Sequence, residues 1–185
     1  MLNAITELEF RIINDPEFIE GLEWGEPRRG HPEGKVIYHI REVLNNIEEY
    51  FVSCLSPARV RKVKFITDLR LIALIHDTFK YQVDRSKPKV GDNHHGYLAM
   101  KFAEKYISDE SVLTIIKVHD DAFKAWLKGS RYNEWKGANN RISDLLETLK
   151  KTDSLLLFNA FFFVDNSTGD KVKDSYEWFQ TFLDD

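Results

Sequence analysis

The sequence is poor in cysteine and in long hydrophobic runs. Its one cysteine, Cys54, cannot form an internal disulfide and is typical of a reducing compartment. The longest apolar stretch, residues 155–164, is interrupted by Asn159 and is much shorter than the ~20 residues that span a bilayer. The N-terminal residues also lack the basic-then-apolar order of a signal peptide. We therefore expect a soluble, cytoplasmic protein with no membrane partner.

The sequence also has no excess of positive charge, since the formal net charge is −4 at pH 7. Binding of nucleic acid usually requires a basic field over a whole domain, so we do not expect a nucleic-acid partner. A local basic pocket remains compatible with this net charge. P-loop, GxSxG and CxxC motifs are absent as well, which removes the commonest sequence signs of nucleotide-dependent, serine-hydrolase and redox chemistry.

What the sequence does contain is helical periodicity and enough apolar side chains for a core. The 185 residues are 43% hydrophobic, which fits one globular domain over residues 1–185. No segment shows convincing strand alternation. We predict an all-α bundle of about eight or nine helices. Among them are a buried central helix, LRLIALIHDTFKY, single helices over about 110–126 and 141–163, and a motif-bearing core over about 30–157.

Several ionisable residues interrupt the apolar faces of these helices. His39 shares a face with Val36 and Ile40, and the pair His76-Asp77 lies in the most apolar helix. His119 and Asp153 are the other residues of this kind. Burying one such group without a partner costs roughly 2–7 kcal/mol, and a bare charge costs more. Several of them on separate helices indicate that they meet, and imidazoles with carboxylates in an apolar interior predict a divalent-cation site.

The order His39, His76-Asp77, Asp153 resembles the H…HD…D signature of the HD-domain metal-dependent phosphohydrolases. The resemblance covers about residues 30–157. HPEGKVIYH resembles the opening of the HD domain in some tRNA nucleotidyltransferases, and LIALIHDTFK resembles the second motif of the family. The resemblance implies a helical bundle in which His39, His76, Asp77 and Asp153 hold a divalent metal.

Two further histidine motifs, NHHGYLA and VHDD, resemble the places where HD proteins with two metals hold the second ion. We favour His95 over His94 as a ligand because Ala99 follows it by four residues, a spacing usual in those proteins. His119 is the other expected ligand, and Asp77 would bridge the two ions. A lone buried His119 would instead be a hydrogen-bonded core histidine. The number of ions, one or two, and their identity among Mn, Mg, Co, Ni, Zn and Fe stay open.

The expected reaction is hydrolysis of a phosphomonoester or phosphodiester in a small, nucleotide-like phosphorylated molecule, by a metal-activated water. Asp77 would position the nucleophile, and Asp120 is a candidate proton acceptor. The candidates for contact with the substrate are the loop and helix-end residues Arg28, Arg29, His31, Lys80 and His94. Lys80 could also simply extend to solvent from an apolar helix, and the two arginines could be ordinary loop charges.

Two other functions stay open at this point. Some HD proteins hold two irons with the same H…HD…H…H…D order and activate oxygen, and these tend to carry the lysine that follows HD here as Lys80. A non-catalytic, nucleotide-binding HD module is the other alternative, although such a module does not need six convergent ligands. The FFF sequence at 161–163 predicts either core packing or a helical homodimer surface.

Overall fold

The computed structural model describes residues 2–29, 32–52, 59–171 and 173–183. The predicted all-α class is confirmed, since this part of the chain forms helices and no β-strand. The helices are α1 (Glu7–Ile13), α2 (Pro16–Leu22), α3 (Val36–Ile47), α4 (Arg59–Ile75), α5 (His95–Ala103), α6 (Glu110–Val118), α7 (Asp121–Tyr132), α8 (Trp135–Lys151), α9 (Leu155–Asn166) and α10 (Asp174–Gln180). None of the helices that the structure describes is long and apolar enough to cross a membrane.

Helix α4 is the centre of the core, as its nearly continuous apolar sequence predicts. Its side chains from Leu69 to Ile75 are all buried, and α3, α5, α6 and α9 pack around it. Helix α9 is almost as apolar and buries Phe161 and Phe162, so the FFF sequence belongs mainly to the core. An apolar stripe on each surrounding helix therefore fixes how that helix faces α4.

Three helices that were predicted to be continuous are interrupted, and each interruption falls beside an ionisable residue. Helix α4 ends at Ile75, immediately before His76-Asp77, and a 3₁₀ turn over Thr78–Gln82 follows. The predicted helix over 110–126 divides at His119-Asp120. The predicted helix over 141–163 divides at residues 152–154, between α8 and α9. A helix end frees two adjacent side chains from the ~100° separation that a continuous helix imposes on neighbours.

A glycine allows the close helix packing that brings two histidines together. A Cβ built on Gly96, in the first turn of α5, would lie 2.4 Å from the carbonyl oxygen of Lys117 in α6. Any larger residue would therefore force α5 away from α6. His95 begins α5 and His119 follows α6, so Gly96 permits the approach of these two side chains.

Candidate metal centre

The first group of candidate ligands joins α3, the end of α4 and the end of α9. His39 Nε2 lies 3.2 Å from His76 Nε2 and 3.0 Å from Asp165 Oδ1. The distance from His76 Nε2 to the same Asp165 oxygen is 3.7 Å. We call these three residues the first triad. Its side chains are largely buried, so bulk water does not separate them.

The second group joins the start of α5 to the turn that follows α6. His95 Nε2 lies 3.1 Å from His119 Nε2. Asp77 Oδ1 is 3.4 Å from His95 Nε2 and 3.3 Å from His119 Nε2. These three residues form the second triad, and they could hold a second cation.

Asp77 connects the two triads because its two oxygens face different histidines. Oδ1 belongs to the second triad, whereas Oδ2 lies 3.7 Å from His39 Nε2 and 3.6 Å from His76 Nε2. Atoms that bind one cation at about 2.1 Å and are about 90–109° apart lie roughly 3.0–3.4 Å from one another. The spacings within both triads are close to these values. One carboxylate is therefore positioned to contact two cations.

The hydrogen bonds of two of the imidazoles make their inward atoms acceptors when the rings are neutral. His76 Nδ1 donates to the carbonyl oxygen of Ala73 at 3.0 Å, and His119 Nδ1 donates to that of Ile116 at 2.9 Å. In a neutral ring this leaves Nε2 with a lone pair. Lone pairs and carboxylate oxygens at these separations repel one another unless a ring proton or a metal cation lies between them. The donor set thus fits metal ions.

Burial and charge affect the pKa values of the ligands in opposite ways. Burial lowers the pKa of His76 to about 3 and that of His95 to about 4, so both rings are neutral near pH 7. Burial opposes ionisation of Asp77, but the Lys80 ammonium and His76 outweigh it and hold the pKa of Asp77 well below its usual value. Neutral imidazoles beside an ionised carboxylate are the protonation states that metal binding requires.

His39 and His119 behave differently from the other two histidines. Burial lowers the pKa of both rings, and Lys171 lowers that of His39 further. The carboxylates of Asp165 and Glu33 near His39, and those of Asp77 and Asp120 near His119, outweigh these effects, so both pKa values are raised. Each of these rings can therefore hold a proton next to a carboxylate. A metal ion bound there would replace that proton.

The structure does not bring Asp153 to this centre. Asp153 is exposed in the turn between α8 and α9 and has a φ of +49°. Its predicted burial was wrong because the helix over 141–163 was assumed to be continuous. Asp165, near the end of α9, lies beside His39 and His76 instead. The sequence does carry a signal for Asp165, since it directly follows the apolar run FFFV.

All members of the two triads except His39 line one wall of a cavity of about 330 Å³. Four cationic side chains border the same cavity, and we call them the basic rim: Arg28, Arg29, Lys80 and Lys171. Lys80 forms an ion pair with Asp77 Oδ2, and Lys171 Nζ lies 3.1 Å from Asp165 Oδ1. Lys80 therefore points into the centre rather than out to solvent. Phe123 and Phe162 contribute apolar surface to the same cavity.

His94 and Asp120 lie beside the second triad in a different arrangement. His94 is the N-cap of α5, and its Nδ1 accepts a hydrogen bond from the backbone N–H of Gly96. His94, His95 and Asp120 are also close enough to hold a cation. However, the Lys124 ammonium contacts His94 and lies 2.8 Å from Asp120 Oδ2. Lys124 thus neutralises Asp120, as Lys80 does Asp77 and Lys171 does Asp165.

Asp120 has one buried oxygen, Oδ1, for which the described residues provide no hydrogen-bond partner. Burial opposes ionisation of Asp120, but His94 and the neighbouring positive charges hold its pKa far below the usual value. Of the other predicted site residues, His31 lies outside the described residues. Arg28 and Arg29 are exposed at the mouth of the cavity.

No family model, curated protein or solved structure matches this chain. The fold and the site must therefore be interpreted from their own geometry.

Proposed function

We propose that the protein is a metal-dependent phosphohydrolase that acts on a phosphomonoester or phosphodiester. One observation carries the proposal: two triads of acceptor atoms share the Asp77 carboxylate at the base of a cavity that has a basic rim. Divalent cations held there would lower the pKa of a water molecule and polarise a phosphoryl oxygen. The resemblance of His39 and His76-Asp77 to the HD signature supports the same reaction class.

The basic rim supports an anionic substrate. Four cationic side chains border the cavity against three carboxylates, those of Asp77, Asp120 and Asp165. Divalent cations would make this surface strongly positive, so it would attract phosphate. Arg28 and Arg29 are suited to paired hydrogen bonds with phosphate oxygens, and Lys80 can hold one oxygen near Asp77. The exposed ring of Phe123 offers apolar contact to a nucleotide-like remainder of the substrate.

Asp120 is better suited to orienting water than to keeping a proton. Its low pKa makes it a weak base, whereas its Oδ1, which lies 3.6 Å from His94 Nε2 and accepts no hydrogen bond from the described residues, can accept one from a water molecule. Lys124 fixes the other oxygen, so the carboxylate has a defined direction. We therefore assign Asp120 the role of aligning the attacking water beside the second triad.

The direct test is hydrolysis of p-nitrophenyl phosphate and bis-p-nitrophenyl phosphate by protein loaded with Mn²⁺, Mg²⁺, Co²⁺ or Ni²⁺. We expect activity with at least one metal and its loss in Asp77→Ala, with Asp153→Ala as the matched control. Elemental analysis of the protein as purified would count the ions. Stable metal binding without cleavage across a broad phosphoester panel would contradict the proposal and favour a non-catalytic nucleotide-binding module.

A di-iron oxygenase is the second candidate because each triad contains two imidazoles and one carboxylate. That donor set is typical of iron sites that activate oxygen. An iron-loaded sample that consumes oxygen with a polyol or a phosphonate, and does not cleave phosphoesters, would favour this candidate. Exclusive binding of a redox-inert ion would count against it.

A further inference from the structure

A second cavity, of about 380 Å³, lies next to the metal centre. It shares Arg28, Lys80 and His95 with the first cavity, so the two spaces are neighbours. The rest of its lining is Trp24, Val83, Arg85, Lys89, His94 and Lys124. Four of these six residues, Val83, Arg85, Lys89 and His94, belong to the segment between α4 and α5, downstream of the candidate ligands His76 and Asp77.

The charges of this second cavity are of one sign. Five of its lining side chains are cationic and none is a carboxylate. Lys80 and Lys124 are paired with Asp77 and Asp120. In contrast, Arg28, Arg85 and Lys89 form no ion pair with any residue that the structure describes. Their charge is therefore available to a ligand.

The position of Arg85 is supported by an aromatic ring. Its guanidinium lies 5.9 Å from the centroid of the Trp24 ring, within the range of a cation–π contact. Trp24 is half-buried and packs against the core, so it provides a fixed surface beneath a loop arginine. A held guanidinium can make two parallel hydrogen bonds to a phosphate group.

These observations indicate which charged groups the substrate has. The inference rests on the proposed hydrolysis at the metal centre. We propose that it has a second phosphate group, which binds in the second cavity through Arg85 and Lys89 while the first phosphate lies at the metal centre. Arg28 and Lys80 border both cavities and can contact both groups. The substrate class is thus a small bisphosphorylated molecule rather than a simple monophosphate.

The test compares the binding of n-propyl phosphate and propane-1,3-diol bisphosphate to metal-loaded protein by calorimetry. The butane and hexane bisphosphates extend the spacing between the two phosphates. We expect at least one bisphosphate to bind about ten-fold more tightly than the monophosphate, which corresponds to about 1.4 kcal/mol. The double variant Arg85→Ala/Lys89→Ala should remove most of this advantage and change monophosphate affinity less than about two-fold.

The double variant Lys87→Ala/Lys101→Ala is the matched control, because both lysines are exposed and line neither cavity. The control variant removes the same amount of positive charge and should still bind a bisphosphate more tightly than the monophosphate. Equal affinities for monophosphate and bisphosphates at every spacing would overturn the proposal. A preference that persists in the Arg85/Lys89 variant, or that disappears equally in the control, would overturn it too.

Measurements of binding and of turnover distinguish a failure of the second phosphate site from a failure of the proposed hydrolysis. A bisphosphate preference that depends on Arg85 and Lys89 supports the second phosphate site even if no metal supports hydrolysis. Hydrolysis of phosphoesters without that preference overturns the second site and leaves the proposed function intact. With an active enzyme, the Arg85/Lys89 variant should raise KM for bisphosphates and leave kcat unchanged, because these residues lie away from the reacting phosphate.

Discussion

The two neighbouring cavities differ in how they are built. The candidate metal centre combines two carboxylates with four imidazoles, and most of these ligands come from the ends of helices that pack in the core. The second cavity contains only positive charge, and its distinctive residues, Arg85 and Lys89, are exposed in a loop. The core thus positions groups that could hold cations, whereas the loops carry positive charge that could attract anions. Changes to the first region should act on metal binding, and changes to the second should act on substrate affinity.

The largest expected effect is a difference in metal affinity between variants of Asp165 and Asp153, which are twelve positions apart in the sequence. Asp165→Asn should weaken metal binding by at least about 10²-fold. Changing a residue that only hydrogen-bonds to a metal ligand already lowers metal affinity by about 10–100-fold, and Asp165 is itself a candidate ligand. Asp153→Asn should leave metal affinity within about two-fold, because that side chain is exposed in a turn. Competition with a metal indicator would measure both. Equal losses in the two variants would mean that Asp165 is not a ligand.

Removal of one histidine from the second triad should affect only one ion. His95→Ala should lower the metal content from about two ions per chain to about one, since His39, His76 and Asp165 remain in place. His39→Ala should remove the other ion. Elemental analysis after desalting would count the ions in both variants. Loss of all metal from His95→Ala would show that the two triads do not bind independently.

Chelation should destabilise the protein because a cation relieves the repulsion among the buried acceptor atoms. Saturating metal at about 100 times its Kd contributes about 2.7 kcal/mol, which corresponds to roughly 5–10 °C in Tm for a chain of this size. Thermal unfolding with and without EDTA would measure the shift. Asp165→Asn should show a smaller response to EDTA, because only the ion at the second triad remains. An unchanged Tm in the unmodified protein would contradict metal binding in the native state.

The smallest effect is expected at the exposed part of the basic rim. Arg29→Ala should raise KM for an anionic substrate by about three- to ten-fold and leave kcat unchanged, because Arg29 contributes long-range attraction at the cavity mouth. The effect should shrink as salt is raised from 50 to 500 mM. Lys151→Ala, an exposed lysine on α8, is the control. A fall in kcat with unchanged KM would place Arg29 at the reacting group instead.

Much of the fold could be predicted from the sequence because helical periodicity is a local property. The apolar faces of α3 and α4 and the buried FFF sequence follow directly from the spacing of hydrophobic residues. The helix interruptions beside His76, His119 and Asp153 could not be predicted in the same way. Apolar residues resume beyond each of these interruptions, and only packing shows where each helix stops.

The choice between Asp153 and Asp165 as a ligand also could not be predicted from local sequence patterns. Both aspartates lie close to leucine- or phenylalanine-rich sequence, so the sequence pattern excludes neither of them as a ligand. The turn between α8 and α9 directs Asp153 to solvent, and the length of α9 then carries Asp165 to His39 and His76. Arg85 and Lys89 were also missed, because charges in a polar loop look like ordinary solvated residues until the loop lies next to a cavity.

The sequence by itself determined the helical class and the presence of imidazoles and carboxylates in apolar surroundings. Those properties depend on local spacing and on the cost of burying polar groups. Only the tertiary structure decided which carboxylate meets which imidazole, that Asp77 faces both triads, and that a basic cavity adjoins them. These relationships join residues as much as 126 positions apart, as between His39 and Asp165, and the packing of helix ends around α4 sets them.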